Sequence, residues 1–114
     1  MSTRNSTDRI ELLQGTLDLL ILRTLRLGPA NGHEIAKAIE RGSEDVLQVQ
    51  QGSLYPALHR LEATGLLASE MTTSENNRKA RIYTLTAAGR KRLAAETADW
   101  REFALAIRRL LQEG

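Results

Sequence analysis

The chain contains no cysteine, which excludes disulfide bridges, thiol nucleophiles and cysteine-bound metal centres together. Two histidines do not make a zinc site unaided, so no metal and no cofactor is expected. Aromatic residues are scarce: one Trp, one Phe and two Tyr leave the core to Leu, Ile and Ala. No hydrophobic run is long enough to span a bilayer, since the longest candidate, Leu17 to Leu22, is far short of one. The opening MSTRNSTDRI carries neither the apolar stretch of a signal peptide nor a membrane anchor, and a soluble, cytoplasmic protein is expected. Signatures of catalysis are missing as well. There is no Gly-rich phosphate loop with lysine, no G-x-S-x-G elbow and no metal-ligand spacing. Ser53 and His59 are six residues apart, about 240° net around a helix, and cannot pair on it. An enzyme is not expected.

What is present is charge, unevenly placed. Residues 1–75 hold 7 Lys/Arg against 10 Asp/Glu, net −3, whereas residues 76–114 hold 9 against 4, net +5. From Asn76 to Arg92 there are six basic residues, Arg78, Lys79, Arg81, Arg90, Lys91 and Arg92, and no acid. A concentrated basic tract is what phosphate binding needs, although a solvated face also carries such a tract.

The stretch Gln51 to Leu67 organises the rest. On a helical wheel Leu54, Leu58 and Leu61 share one side, while Gly52, Pro56, His59 and Ala63 lie opposite, flanked by Ser53, Tyr55 and Arg60. Pro56 fits best in the first turn, so the helix is expected to begin near residues 51–53 and to stop at Gly65. Its polar N-terminal end is suited to anions and base edges, as in a DNA-reading helix. An ordinary surface helix is the plain alternative.

Around it, the chain reads in order as follows. Residues 1–10 are expected to form a flexible arm. Glu11 to Leu27 reads as a helix that is apolar nearly all round, stopped by Gly28-Pro29, and needing cover from a second surface such as a partner subunit. Asn31 and Glu34 make a capping box for a helix ending near Arg41-Gly42, with Ile35 and Ile39 inward. His33 and Glu34 match no metal motif, because Lys37 stands where H-E-x-x-H needs its second histidine. Ser43 to Gln50 suggests a short strand, with Leu47 and Val49 on one side.

After Gly65, strands at Leu66 to Thr73 and Ala80 to Leu85 flank a polar tip, Ser74 to Lys79, suited to a wing along a phosphate backbone. Thr86 caps a last helix of about 28 residues, roughly 42 Å long. Within it Leu93, Trp100 and Ile107 recur every seven residues, and Phe103 with Leu110 or Ala104 with Leu111 complete a seam of the coiled-coil type, a pattern that a helix folding back on its own domain would also show. The expected fold is mainly α with a small β-hairpin wing. Residues 11–85 form a winged helix-turn-helix domain and residues 86–114 a C-terminal dimerisation helix.

These residues carry a family resemblance. Leu13-Gln14-Gly15-Thr16-Leu17-Asp18, the run from Gly52 to Glu62, Ser74-Glu75-Asn76-Asn77-Arg78, Tyr83-Thr84-Leu85-Thr86 and Gly89-Arg90 resemble the PadR-like transcriptional regulators of the short type. His33 departs from the pattern, standing where such regulators usually have tyrosine.

The resemblance implies a homodimer on an inverted-repeat operator, usually repressing, often near its own gene or near transporter, efflux or stress genes. It places Ser53, Tyr55, Pro56 and His59 on the reading helix and Asn76, Asn77, Arg78 and Lys79 on the wing. By their chemistry, Ser53, Tyr55 and Lys79 suit phosphates, Gln51 and His59 suit base edges, and Arg60 suits either. Leu17, Leu20, Leu93, Trp100, Phe103, Ile107, Leu110 and Leu111 are the expected dimer contacts. The family responds to aromatic or drug-like molecules, which makes Trp100 with Phe103 the candidate effector site beside plain packing. The rival function is a winged helix that binds protein rather than DNA.

Overall fold

The computed structural model describes residues 10–11 and 14–112. Residues 1–9, most of the expected arm, and Leu12, Leu13, Glu113 and Gly114 lie outside the described residues. Along the chain run β1 (Ile10–Glu11), α1 (Gln14–Arg26), β2 (Ala30–Asn31), α2 (Gly32–Gly42) and β3 (Leu47–Gln48). They are followed by α3 (Gln51–Ala63), β4 (Leu67–Thr73), β5 (Lys79–Leu85) and α4 (Ala87–Leu111). The fold is mainly helical, with a β-hairpin wing and a long last helix.

Local chemistry sets most of the boundaries. Asn31 and Glu34 form the reciprocal capping box of α2: the Asn31 side chain accepts from the Glu34 N–H at 2.8 Å, and the Asn31 N–H donates to Glu34 Oε1 at 2.9 Å. The Thr86 hydroxyl accepts from the Gly89 N–H at 3.0 Å, capping α4. It also lies 2.7 Å from the Gly65 carbonyl and 3.0 Å from that of Leu66, which fastens the start of α4 to the exit of α3. Gly65, at φ +81°, makes the left-handed turn that ends α3.

The structure departs from the sequence reading at several places: the strand expected over 43–50 is only Leu47–Gln48, the hairpin strands begin at Leu67 and Lys79, and three further differences have clear causes. The first helix begins at Gln14, because Ile10 and Glu11 are extended and pair in parallel with Leu47 and Gln48. That partner is 37 positions away, beyond the reach of local periodicity. Pro56 is the sixth residue of α3, not in its first turn. The hydrogen bond it forgoes, to the Gly52 carbonyl, is outweighed by the burial of Leu54, Ala57, Leu58 and Leu61 around it. The third difference is a strand the sequence did not reveal: β2 joins the hairpin, pairing Ala30 with Tyr83 and Asn31 with Ile82. The sheet order is β2-β5-β4, antiparallel, with the hairpin in register from Leu67 opposite Leu85 to Thr73 opposite Lys79.

The core is aliphatic. Leu17, Ile21, Leu22 and Leu25 of α1 meet Ile35 and Ile39 of α2 and the inner face of α3, with Tyr83 its one buried aromatic. From α4 only Gly89 and Leu93 are buried. Beyond Thr97 the helix is exposed except for a half-buried Ala104, and the molecule measures 57 × 33 × 21 Å. Among the described residues no helix is long and apolar enough to cross a membrane.

Candidate nucleic-acid interface

Helix α3 is fixed from behind and open in front. Leu54, Ala57, Leu58 and Leu61 are buried, whereas Gln51, Gly52, Ser53, Pro56 and His59 are exposed. The side chain of its N-cap residue, Gln50, makes no capping hydrogen bond. The positive end of the helix and the Ser53 hydroxyl therefore share one exposed surface. Gly52, Ser53, Pro56 and Arg60 line a depression there with Gln14 of α1.

Tyr55 is 40% exposed and leans on α2. A Cβ built on Gly32, the first residue of α2, would lie 2.9 Å from the phenolic oxygen, so the absence of a side chain at Gly32 makes room for the ring. Gly32 is thus a positioning residue that sequence reasoning missed; its own signal was a glycine directly after a capping residue, where a helix former would otherwise stand.

Arg60, partly exposed beside Ser53 and Pro56, also has a partner within the chain. Its guanidinium donates to Asp18 Oδ1 at 2.7 Å, tying α3 to α1. Burial holds the Asp18 carboxyl above its ordinary range, and the charge and hydrogen bond of Arg60 offset this only in part. A second tie joins α3 to the wing: Ser69 Oγ donates to Glu62 Oε2 at 2.7 Å, and Arg81 donates to Ser69 Oγ at 3.0 Å. Arg81 is therefore partnered within the hairpin. Neither Glu62 nor Ser69 was singled out from sequence, because their proximity depends on how the sheet docks.

At the wing tip Asn77 takes φ +59°, the conformation that asparagine tolerates, and the Ser74 N–H donates to the Arg78 carbonyl at 2.8 Å. Asn76, Asn77, Arg78 and Lys79 are all exposed, as is His33 on α2. The tip thus projects amide and cationic groups away from the core.

The expected dimer residues divide. Trp100, Phe103, Ile107, Leu110 and Leu111 are 48%, 60%, 38%, 70% and 80% exposed and lie along one stripe of α4. Leu17 and Leu93, at 1% and 5%, are instead packed into the chain's own core. Leu20 turns towards α2, lining a groove with Leu27, Ile39 and Leu47. On α1 it is Leu19, with Gly15 and Thr16, that shares a concavity with Trp100 and Phe103. Each helical step turns about 100°, so neighbouring leucines face different elements.

A three-helix unit whose third helix has one exposed face, a three-stranded sheet and a basic hairpin tip define a winged-helix protein. The chain belongs to the PadR-like family of transcriptional regulators, whose model matches residues 21–95. It is 46% identical over 57 residues to the transcriptional regulator Rv3488 of Mycobacterium tuberculosis, which covers 50% of this chain and 52% of that protein. Among solved structures it resembles a PadR family regulator from Eggerthella lenta, at 31% identity and a TM-score of 0.75 over 89% of this chain and 86% of that one. A transcriptional regulator from Clostridium thermocellum superposes with a TM-score of 0.79 at 26% identity, covering 87% and 93%. The family comprises regulators of transcription, not enzymes.

Proposed function

We propose that this regulator is a cytoplasmic homodimer that binds an inverted-repeat DNA operator, with residues 11–85 as the DNA-binding domain and residues 86–114 as the dimerisation helix. The observation that carries this reading is the two-sided character of α3. Its leucines are locked in the core, while Gln51 and Ser53 stand exposed in its first turn and His59 stands exposed further along the helix; the wing tip is exposed and basic as well. Ser53, Tyr55, Arg78 and Lys79 are assigned to phosphates, Gln51 and His59 to base edges, and Asn76 and Asn77 to the groove beside the wing. Arg60 is omitted, because its charge is used on Asp18. The stripe from Trp100 to Leu111 meets its symmetry mate, which sets the two reading helices one DNA turn apart, roughly 34 Å. Bound this way, the protein blocks transcription, and a flat aromatic effector entering beside Trp100 and Phe103 releases it.

Selection of duplexes from a random pool tests the central claim. Enrichment of an inverted repeat, with affinity that falls steeply with salt and weakens in Tyr55→Ala, is expected. Failure to enrich any sequence would overturn it and promote a protein partner for the same surface.

A further inference from the structure

The junction of α1 and α4 holds a charge arrangement that DNA reading by α3 and the wing does not use. Arg23 and Arg26 from α1 and Arg90 and Arg101 from α4 line one cleft of about 560 Å³. Room for it comes from small side chains, Ala94, Thr97 and Ala98, at the positions of α4 that face it. No carboxylate lines the cleft. Among the described residues the ion pairs are Arg60 with Asp18 and Arg92 with Glu96, so none of the four arginines has an acidic partner. The last turn of α1 accounts for Arg23 and Arg26, since cations favour a helix C-terminus. It does not account for Arg90 and Arg101, three turns apart on another helix, lining the same space.

Four guanidinium groups around one concavity repel each other, and an anion placed among them relieves that repulsion. Guanidinium forks pair with phosphate and carboxylate oxygens two bonds at a time. The volume lies in the range of small-ligand sites. We propose that this cleft binds a small polyanion carrying two or more phosphate or carboxylate groups. No residue of α3, β4 or β5 lines it, so it stands apart from the surface assigned to DNA. Arg101 is also turned about 100° from Trp100 around α4, away from the apolar stripe. An occupant bridges α1 to α4 and so fixes the angle at which α4 leaves the domain. That gives the regulator a second input, separate from any aromatic effector.

Calorimetric titration of the full chain with tripolyphosphate, citrate and inorganic phosphate, at constant ionic strength, tests this without DNA and therefore independently of the operator reading. One tripolyphosphate or citrate per chain is expected, with inorganic phosphate much weaker; whichever polyanion is tighter tells whether phosphate or carboxylate groups are the natural ones. Arg23→Gln with Arg101→Gln should weaken binding at least tenfold, and Arg78→Gln with Lys79→Gln on the wing should change it less than twofold. Ala98→Leu, which fills the cleft without altering charge, should also weaken it at least tenfold, and it carries the test if the arginine pair does not fold. Absence of binding by both polyanions, equal loss in the wing pair, or undiminished binding in Ala98→Leu would each overturn the proposal. So would arginine variants that lose only affinity for duplex DNA.

Discussion

Gly89 has no room for a side chain, since a Cβ there would run into the carbonyl of Leu66 and the side chain of Leu85. Those contacts are backbone and core, neither of which yields easily. Gly89→Ala should therefore cost at least about 2 kcal/mol, or roughly 8 °C in Tm, although alanine is the better helix former. A melting temperature within a degree or two of wild type would contradict this. Asp18 behaves differently. Its carboxyl is raised because burial penalises the charge more than Arg60 rewards it. With the folded value above the unfolded one, the folded chain holds the extra proton in the window just above the ordinary carboxylate range. This group's contribution is thus largest below that window and is lost as pH rises through it. Asp18→Asn should remove that limb from melts followed between pH 3 and 7, and at neutral pH should shift stability by no more than about 1 kcal/mol, because the pair is partly exposed. An unchanged acid limb in the variant would show that Asp18 does not titrate as described.

At the scale of elements, α3 is coupled to its neighbours by polar ties on two sides. Arg60 reaches Asp18 on α1, and Glu62 reaches the hairpin through Ser69 and Arg81. The basic residues counted together in the sequence therefore separate by role: Arg78 and Lys79 stand at the tip, while Arg81, exposed as well, braces the hairpin through Ser69. Under the proposed DNA reading, Arg78→Ala should lower the slope of log affinity against log salt by about 0.9, the value for one phosphate contact. Arg60→Ala should leave that slope unchanged and lower thermal stability instead. Anisotropy titrations at several salt concentrations on the selected duplex distinguish the two. An equal loss of slope in both variants would return Arg60 to the DNA surface.

For the whole molecule, the decisive feature is a helix that leaves its domain. Twenty-five residues long, α4 buries only Gly89 and Leu93 and exposes an apolar stripe, the kind of surface that marks an interaction site. Under the proposed dimer reading, Phe103→Glu with Ile107→Glu should yield a folded monomer in sedimentation and reduce operator affinity at least tenfold, since the two half-sites would no longer be linked. A wild-type protein sedimenting as a single chain would defeat the dimer reading. The same outcome would remove the argument for one-turn spacing between reading helices.

By itself, the sequence determined whatever depends on near neighbours. The capping box at Asn31 and Glu34, the Thr86 cap, the stop at Gly65, the hairpin tip and the buried leucines of α3 are all short-range chemistry, and the winged-helix order follows from them. Its motif runs were specific enough to indicate the PadR-like family. Tertiary structure alone decided which of several similar side chains face which neighbour. Leu17 and Leu93 went to the core, and Leu19 rather than Leu20 came to lie beside Trp100. Arg60 turned to Asp18, two-residue strands found partners tens of residues away, and Arg23, Arg26, Arg90 and Arg101 came to line one cleft. The physical reason is common to all of these. Hydrogen bonding within a turn is fixed by residues a few positions apart, whereas packing between elements depends on small differences in direction around an axis, which only the assembled core settles.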